Sequence, residues 1–193
     1  MKLTNRLTAL LLAALMLVTV FSFTACFGKK EEETEKKATA KTVVKDYCSC
    51  MKNYKYDKLL DLLPDAYIEY FLEDYDLTEK ELSSALKELS ADRKEQAKDM
   101  EREVVDFTLG DTRDVDEDEL EYLNDYYDSA NLDIKSAKKV PVELTISRSG
   151  DETTERETYT AIKVDGKWYL APVEAAYILR AAAEEYGSAA SEH

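Results

Sequence analysis

The chain has 193 residues, 45% apolar and 35% charged, with 41 Asp and Glu against 26 Lys and Arg for a formal net charge of −15. That length suits one domain that buries its own core without disulfide help. The charge repels phosphate backbones and anionic headgroups, which excludes nucleic-acid binding. The sole histidine is the terminal His193, so no Ser-His-Asp or Cys-His nucleophile can be assembled in a fixed site, and a His-ligated zinc centre is disfavoured.

The first residues are the basic MKLTNR, then the apolar run LTALLLAALMLVTVFSF, then Phe23-Thr24-Ala25-Cys26. This segment resembles a bacterial lipoprotein signal peptide, in which small residues precede a cysteine that becomes the lipidated first residue. Phe23 departs from the aliphatic residue preferred at its position. The resemblance implies removal of residues 1–25 and acylation of Cys26, palmitate being a typical acyl group. It also implies a mature chain whose first partner is the membrane itself, on the extracytoplasmic face of the cell membrane. An uncleaved anchor is the alternative, and it leaves the folded part on the same side, because Lys2 and Arg6 stay inside. Residues 26–41 then read as the lipidated cysteine and a charged tether, reaching at most about 50 Å when fully extended.

From residue 42 the apolar spacing becomes helical, through Val43, Val44, Tyr47, Cys48, Met51 and Tyr54. Cys48 and Cys50 point in diverging directions on such a helix and read as small buried residues rather than a disulfide or a metal pair. A second segment from Asp57 carries Leu59, Leu60, Leu62 and Leu63 to Pro64. That proline restarts the helix through Tyr67, Ile68, Phe71, Leu72 and Tyr75. Thr78 and Glu81 have capping-box spacing and open a third helix with Leu82, Leu86, Leu89 and Met100 on its apolar face.

Val104 to Leu109 alternates, placing Val105, Phe107 and Leu109 on one face of a first strand and Asp106 in solvent. An acidic helix over 116–129 carries Leu120, Leu123 and Tyr127. In segment 111–125, Asp114, Asp116 and Asp118 have the spacing of a calcium loop, but Glu119 stands where glycine is needed and Asp125 where a longer Glu is expected. These acids read better as complements to a helix N-terminus than as metal ligands, with a weak divalent-ion site as the alternative. Val140, Val142, Leu144 and Ile146 then alternate, and Ser149-Gly150-Asp151 turns the chain. Thr158 to Val164 returns, with Tyr159, Ala161 and Lys163 facing opposite to Thr160, Ile162 and Val164. Asp165-Gly166 is a tight-hairpin signal leading to Lys167–Leu170, with Trp168 and Tyr169 on opposite faces. A terminal helix over 173–186 follows, with Val173, Ala176, Tyr177, Ile178 and Leu179. The domain reads as 42–187, with a loose tail over 188–193.

Helices first and an antiparallel sheet last make an α+β fold: N-terminal helices packed on a curved, cone-like sheet, with a C-terminal helix. At VDGKWYLAP, behind this helical half, the chain resembles the nuclear transport factor two-like (cystatin-like) superfamily. It is similar in particular to small lipoproteins of Gram-positive bacteria that carry one such domain. The resemblance implies a sheet wrapped round a long helix, its cone either hollow or filled with side chains. It transfers no catalytic residue. The inserted acidic helix departs from the plain fold, and polar Glu143, Thr145, Ser147 and Thr160 weaken the outer-face dimer that such domains often form.

With 13 tyrosines, the chain is rich in residues that offer contact area and a hydroxyl at low entropy cost. Tyr47, Tyr67 and Trp168 are the candidate ligand contacts. The expected function is a non-catalytic binding or protein-interaction module needing no cofactor, its partner an envelope protein or a small molecule. Alternatives are a small-molecule cone with isomerase- or dehydratase-like acid–base chemistry, or an envelope spacer without a ligand.

Overall fold

A computed structural model describes residues 38–190. The leader, Cys26 and most of the tether lie outside the described residues, as do the last three of the expected tail. Helix α1 (Ala40–Lys52) starts two residues before its apolar stripe, because Thr39 and Thr42 form an unforeseen capping box. Its buried face is Val43, Val44, Tyr47 and Cys48. A 3₁₀ helix (Tyr56–Leu62) takes the place of the expected second helical segment and buries Leu59, with Leu63 just beyond it. Pro64 caps α2 (Asp65–Asp74).

Thr78 and Glu81 form the reciprocal box that opens α3 (Glu79–Asp99), where Thr78 N–H donates to Glu81 Oε2 at 2.8 Å. Hydrogen bonds from Thr78 and Tyr186 hold the Glu81 carboxyl below its ordinary pKa. Leu82, Leu86 and Leu89 are buried as the spacing requires. Met100 is not. It is the exposed C-cap residue of α3, where the chain leaves the helix for a strand and the helical period no longer applies.

Strand β1 (Arg102–Leu109) is followed by the two-residue β2 (Arg113–Asp114), then by α4 (Glu117–Tyr126) and a 3₁₀ turn (Asp128–Ala130). Strands β3 (Ile134–Arg148), β4 (Asp151–Val164) and β5 (Lys167–Leu170) lead to α5 (Pro172–Ala190). Helix α5 thus runs past residue 186, where the sequence reading ends it. The strands form one curled antiparallel sheet, a half-barrel, in the order β1-β3-β4-β5 with β2 paired to β3. Both hairpins turn on two residues of positive φ, Ser149-Gly150 and Asp165-Gly166, the geometry of primed turns.

Strand β1 corrects the expected face. Val104 pairs with Ile146 and Asp106 with Thr145, so Val105 is the extra residue of a β-bulge. The face shared with Ile146, Leu144 and Val142 is therefore Val104, Phe107 and Leu109, with Val104 in the place expected for Val105. Asp106 lies in solvent and pairs with Lys52 at 3.7 Å.

The sheet is apolar on both faces at one end. On the inner face Val140, Val142, Ala161 and Leu170 pack with α1, α3 and α5, and their side chains fill the space under the sheet. On the outer face Ile134, Ala137, Ile162 and Val164 pack with Leu123, Tyr127, Ala130 and Leu132. Trp168 joins the inner cluster and Tyr169 the outer, as strand alternation requires. The acidic helix is thus a clasp on the outer face.

Ser90 is the one buried polar side chain among the described residues. It accepts from Tyr56 N–H at 3.1 Å and donates to Leu86 O at 2.6 Å, tying the 3₁₀ helix to α3. Ser90→Ala leaves the Tyr56 N–H unpaired in the core, so urea unfolding should show a loss of about 1–3 kcal/mol.

Candidate functional site

The three sequence candidates do not share a site. Tyr47 is 5% exposed, and its hydroxyl donates to Glu174 O at 3.0 Å while its ring meets Tyr159 edge-on at 4.9 Å. It is a core residue, and burial pushes its hydroxyl well above the ordinary tyrosine range. Trp168 is half-buried on the inner face of β5, with Lys163 Nζ 5.9 Å from its ring centroid. Tyr67 lines a surface groove.

That groove, a hollow of about 300 Å³, lies between three elements. Helix α2 supplies Tyr67, Tyr70, Phe71 and Asp74, with Tyr75 at its C-cap. The end of α4 supplies Tyr126 and its C-cap Tyr127, followed by Ser129 and Ala130. Helix α5 supplies Val173, Ala176 and Arg180. The rings form a continuous series: Tyr122 to Tyr126 at 6.0 Å, Tyr126 to Tyr127 at 4.9 Å, Tyr127 to Tyr67 at 6.1 Å, Tyr67 to Phe71 at 6.4 Å and Phe71 to Tyr75 at 4.5 Å. Rings this close prefer offset-stacked or edge-on contacts, and both occur here: Phe71–Tyr75 and Tyr122–Tyr126 are stacked, Tyr126–Tyr127 and Tyr127–Tyr67 edge-on.

The series runs from core to solvent. Tyr127 is buried, while Tyr122 and Tyr126 are 63% and 55% exposed. The Tyr127 hydroxyl accepts from Val173 N–H at 2.9 Å, satisfying an otherwise orphan donor at the start of α5. Burial pushes the Tyr67 hydroxyl up to about 12, with Tyr126 adding to the rise and Arg180 opposing it. Every groove tyrosine with such a shift is therefore neutral at physiological pH and works as a hydrogen-bonding ring.

Asn124 fixes α4 in place. Its side chain accepts from Ile134 N–H at 2.8 Å and donates to Ile134 O at 3.1 Å and Leu120 O at 3.0 Å. This pairing imitates a strand neighbour at the start of β3. Nothing in the sequence pattern marks it, and nothing marks Arg180; of the apolar residues expected in the terminal helix, Val173 and Tyr177 are exposed.

The acidic segment behaves as helix and ion-pair chemistry. Asp116 is the N-cap of α4 and accepts from Glu119 N–H at 2.9 Å. Asp114 pairs with Lys138 at 3.1 Å and Glu119 with Lys139 at 2.7 Å. Among the described residues no three His, Cys, Asp or Glu side chains gather as a metal-holding group.

Potential reactive groups are held in unreactive states. Burial pushes the Cys48 thiol up to about 12 and the Cys50 thiol up to about 11, so both stay protonated. Glu174 is the one acid raised by burial among the described residues. Its carboxylate accepts from Thr160 N–H at 2.8 Å, taking over where the β4–β5 ladder ends. Five surface clefts can be described, and Glu174 lines none of them.

No protein-family profile matches the chain, and no curated protein matches it significantly. The α+β architecture with its curled sheet is compatible with a nuclear transport factor two-like cone.

The raised pKa of Glu174 sets a pH dependence. A carboxyl whose folded value exceeds its unfolded one favours the native state when protonated. That contribution is complete below the unfolded value of 4.5 and fades as pH rises through the folded value. Glu174→Gln keeps the acceptor for Thr160 N–H and removes the titration. Thermal melts from pH 4 upward should show the variant gaining stability over the wild type as pH rises, until the folded-state value has been passed; a constant difference contradicts this.

Proposed function

We propose that this protein is a lipid-anchored, extracytoplasmic binding module of the nuclear transport factor two-like architecture, with the aromatic groove as its contact surface. The observation that carries the reading is the exposed end of the ring series. Tyr122 and Tyr126 stand exposed side by side there, and exposed Val173 lines the same groove as Tyr126, an apolar surface that the fold itself does not cover. Tyrosines of this kind bind well, because rigid amphipathic rings lose little entropy on contact. The small residues before Cys26 and the charged tether support anchoring, and no described helix is long and apolar enough to cross a membrane.

A second reading, acid–base catalysis on a small molecule in the cone, draws on Glu174 beside Tyr47 and Tyr159. The commitment of that carboxylate to Thr160 N–H and the side-chain filling under the sheet favour the binding module.

The test uses the full chain in its own cells, with a photo-reactive phenylalanine at Tyr126 or, as control, at the exposed Glu95 of α3. Adducts at position 126 and none at 95 are expected, with Cys26→Ser moving the protein out of the membrane fraction. Equal adducts at both positions, or none, contradict the module. Membrane retention of Cys26→Ser contradicts the anchor.

A further inference from the structure

We propose that the groove takes an extended segment of a partner protein rich in Lys or Arg, an inference that rests on the binding-module reading. The first argument is charge. Residues 38–190 hold 36 Asp and Glu against 20 Lys and Arg, and the imbalance concentrates in the two stretches that carry α2 and α4. No Lys or Arg lies between Lys58 and Lys80, the stretch containing α2, or between Arg113 and Lys135, the stretch containing α4.

On the sheet some acids are answered from within: Asp106, Asp114, Glu143 and Glu155 pair with Lys or Arg, as does Glu119 in the first turn of α4, while exposed Glu103, Asp151, Glu152 and Glu157 make no ion pair among the described residues. Exposed Asp74 of the lining, and Glu73, Asp125 and Asp128, each next in sequence to a lining residue, make no ion pair among the described residues.

Helix ends add to this field. Helices α2 and α4 both turn their C-termini to the groove, which their C-cap residues Tyr75 and Tyr127 line, and neither has a basic residue in its last turn. A helix C-terminus carries about half a negative charge, and here acids sit beside each one. Two groups oppose it. The start of α5 has its Val173 N–H already taken by the Tyr127 hydroxyl, and Arg180 is the one cation in the lining. The balance at the groove is negative, and electron-rich ring faces attract cations in addition.

The second argument is length. Past the buried Tyr127 and Phe71, the exposed rings of Tyr126 and Tyr122 stand 6.0 Å apart and carry the aromatic surface beyond the hollow. An extended chain advances about 3.3 Å per residue, so rings about 6 Å apart meet alternate side chains. A small amine would use a fraction of that track. Extended peptides on aromatic grooves are a known mode of recognition, in which the rigid chain loses little entropy.

The test uses the full chain in a neutral detergent and three fluorescent probes read by anisotropy: a Lys-Pro alternating decapeptide, its Glu-Pro counterpart and a neutral chito-hexasaccharide. The Lys-Pro peptide should bind with a dissociation constant of about 10–100 μM, weakening with salt. Tyr126→Ala and the pair Asp74→Asn with Asp125→Asn should each weaken it about tenfold, with circular dichroism unchanged. Glu-Pro peptide should not bind. Equal binding of both peptides, or no loss in Tyr126→Ala, overturns the inference. Tyr126-dependent binding of the saccharide without the Lys-Pro peptide also overturns it, while leaving the module reading intact. Failure of all three probes overturns the ligand class, and position-dependent cross-linking then decides the module separately.

Discussion

The end of the sheet near Ile134 and Val164 is apolar on both faces, and the rest of the molecule follows from covering it. Val140, Ala161 and Leu170 turn inward to the helices, while Ile134, Ala137, Ile162 and Val164 turn outward. A sheet with two apolar faces needs a layer on each side. The second layer here is α4, too short and too acidic to be stable alone. Asn124 holds it by hydrogen bonds to both backbone groups of Ile134, and Leu123 and Tyr127 supply the apolar contact. Hydrogen bonds of this kind contribute about 1 kcal/mol each, and their larger effect is to fix one orientation of the helix.

That orientation makes the groove. With α4 clasped on the outer face, Tyr127 reaches both Tyr67 of α2 and the Val173 N–H of α5, and Tyr126 and Tyr122 follow outward into solvent. The same placement brings two helix C-termini together and leaves their acids without internal partners. Stability and the proposed recognition therefore rest on one element: the outer-face clasp fills the core with one side of α4 and offers rings and carboxylates with the other.

Much of the fold was legible because local chemistry dictates it. Period-two alternation in Val140–Ile146, the Asp165-Gly166 turn and the Thr78–Glu81 box each act within a few residues, and each stands where the spacing puts it. Reasoning by alternation failed at Val105, because a bulge inserts one residue and moves the buried face to Val104. It failed at Met100 because the helix ends there. The groove was legible only as an excess of tyrosine. Its rings come from segments far apart in the chain, and Tyr67 alone of the three candidates belongs to it. Asn124 left no trace, since its partner lies ten residues on and a single side-chain amide has no period.

The claim that α4 is held as a clasp, and that the groove exists because of it, is tested most directly by hydrogen exchange on Asn124→Ala. The account predicts that amides of 117–130 lose protection while β3, β4 and α3 exchange as in the wild type. Unchanged protection over 117–130 would show that apolar contact alone seats the helix, and the central role given to Asn124 would be wrong.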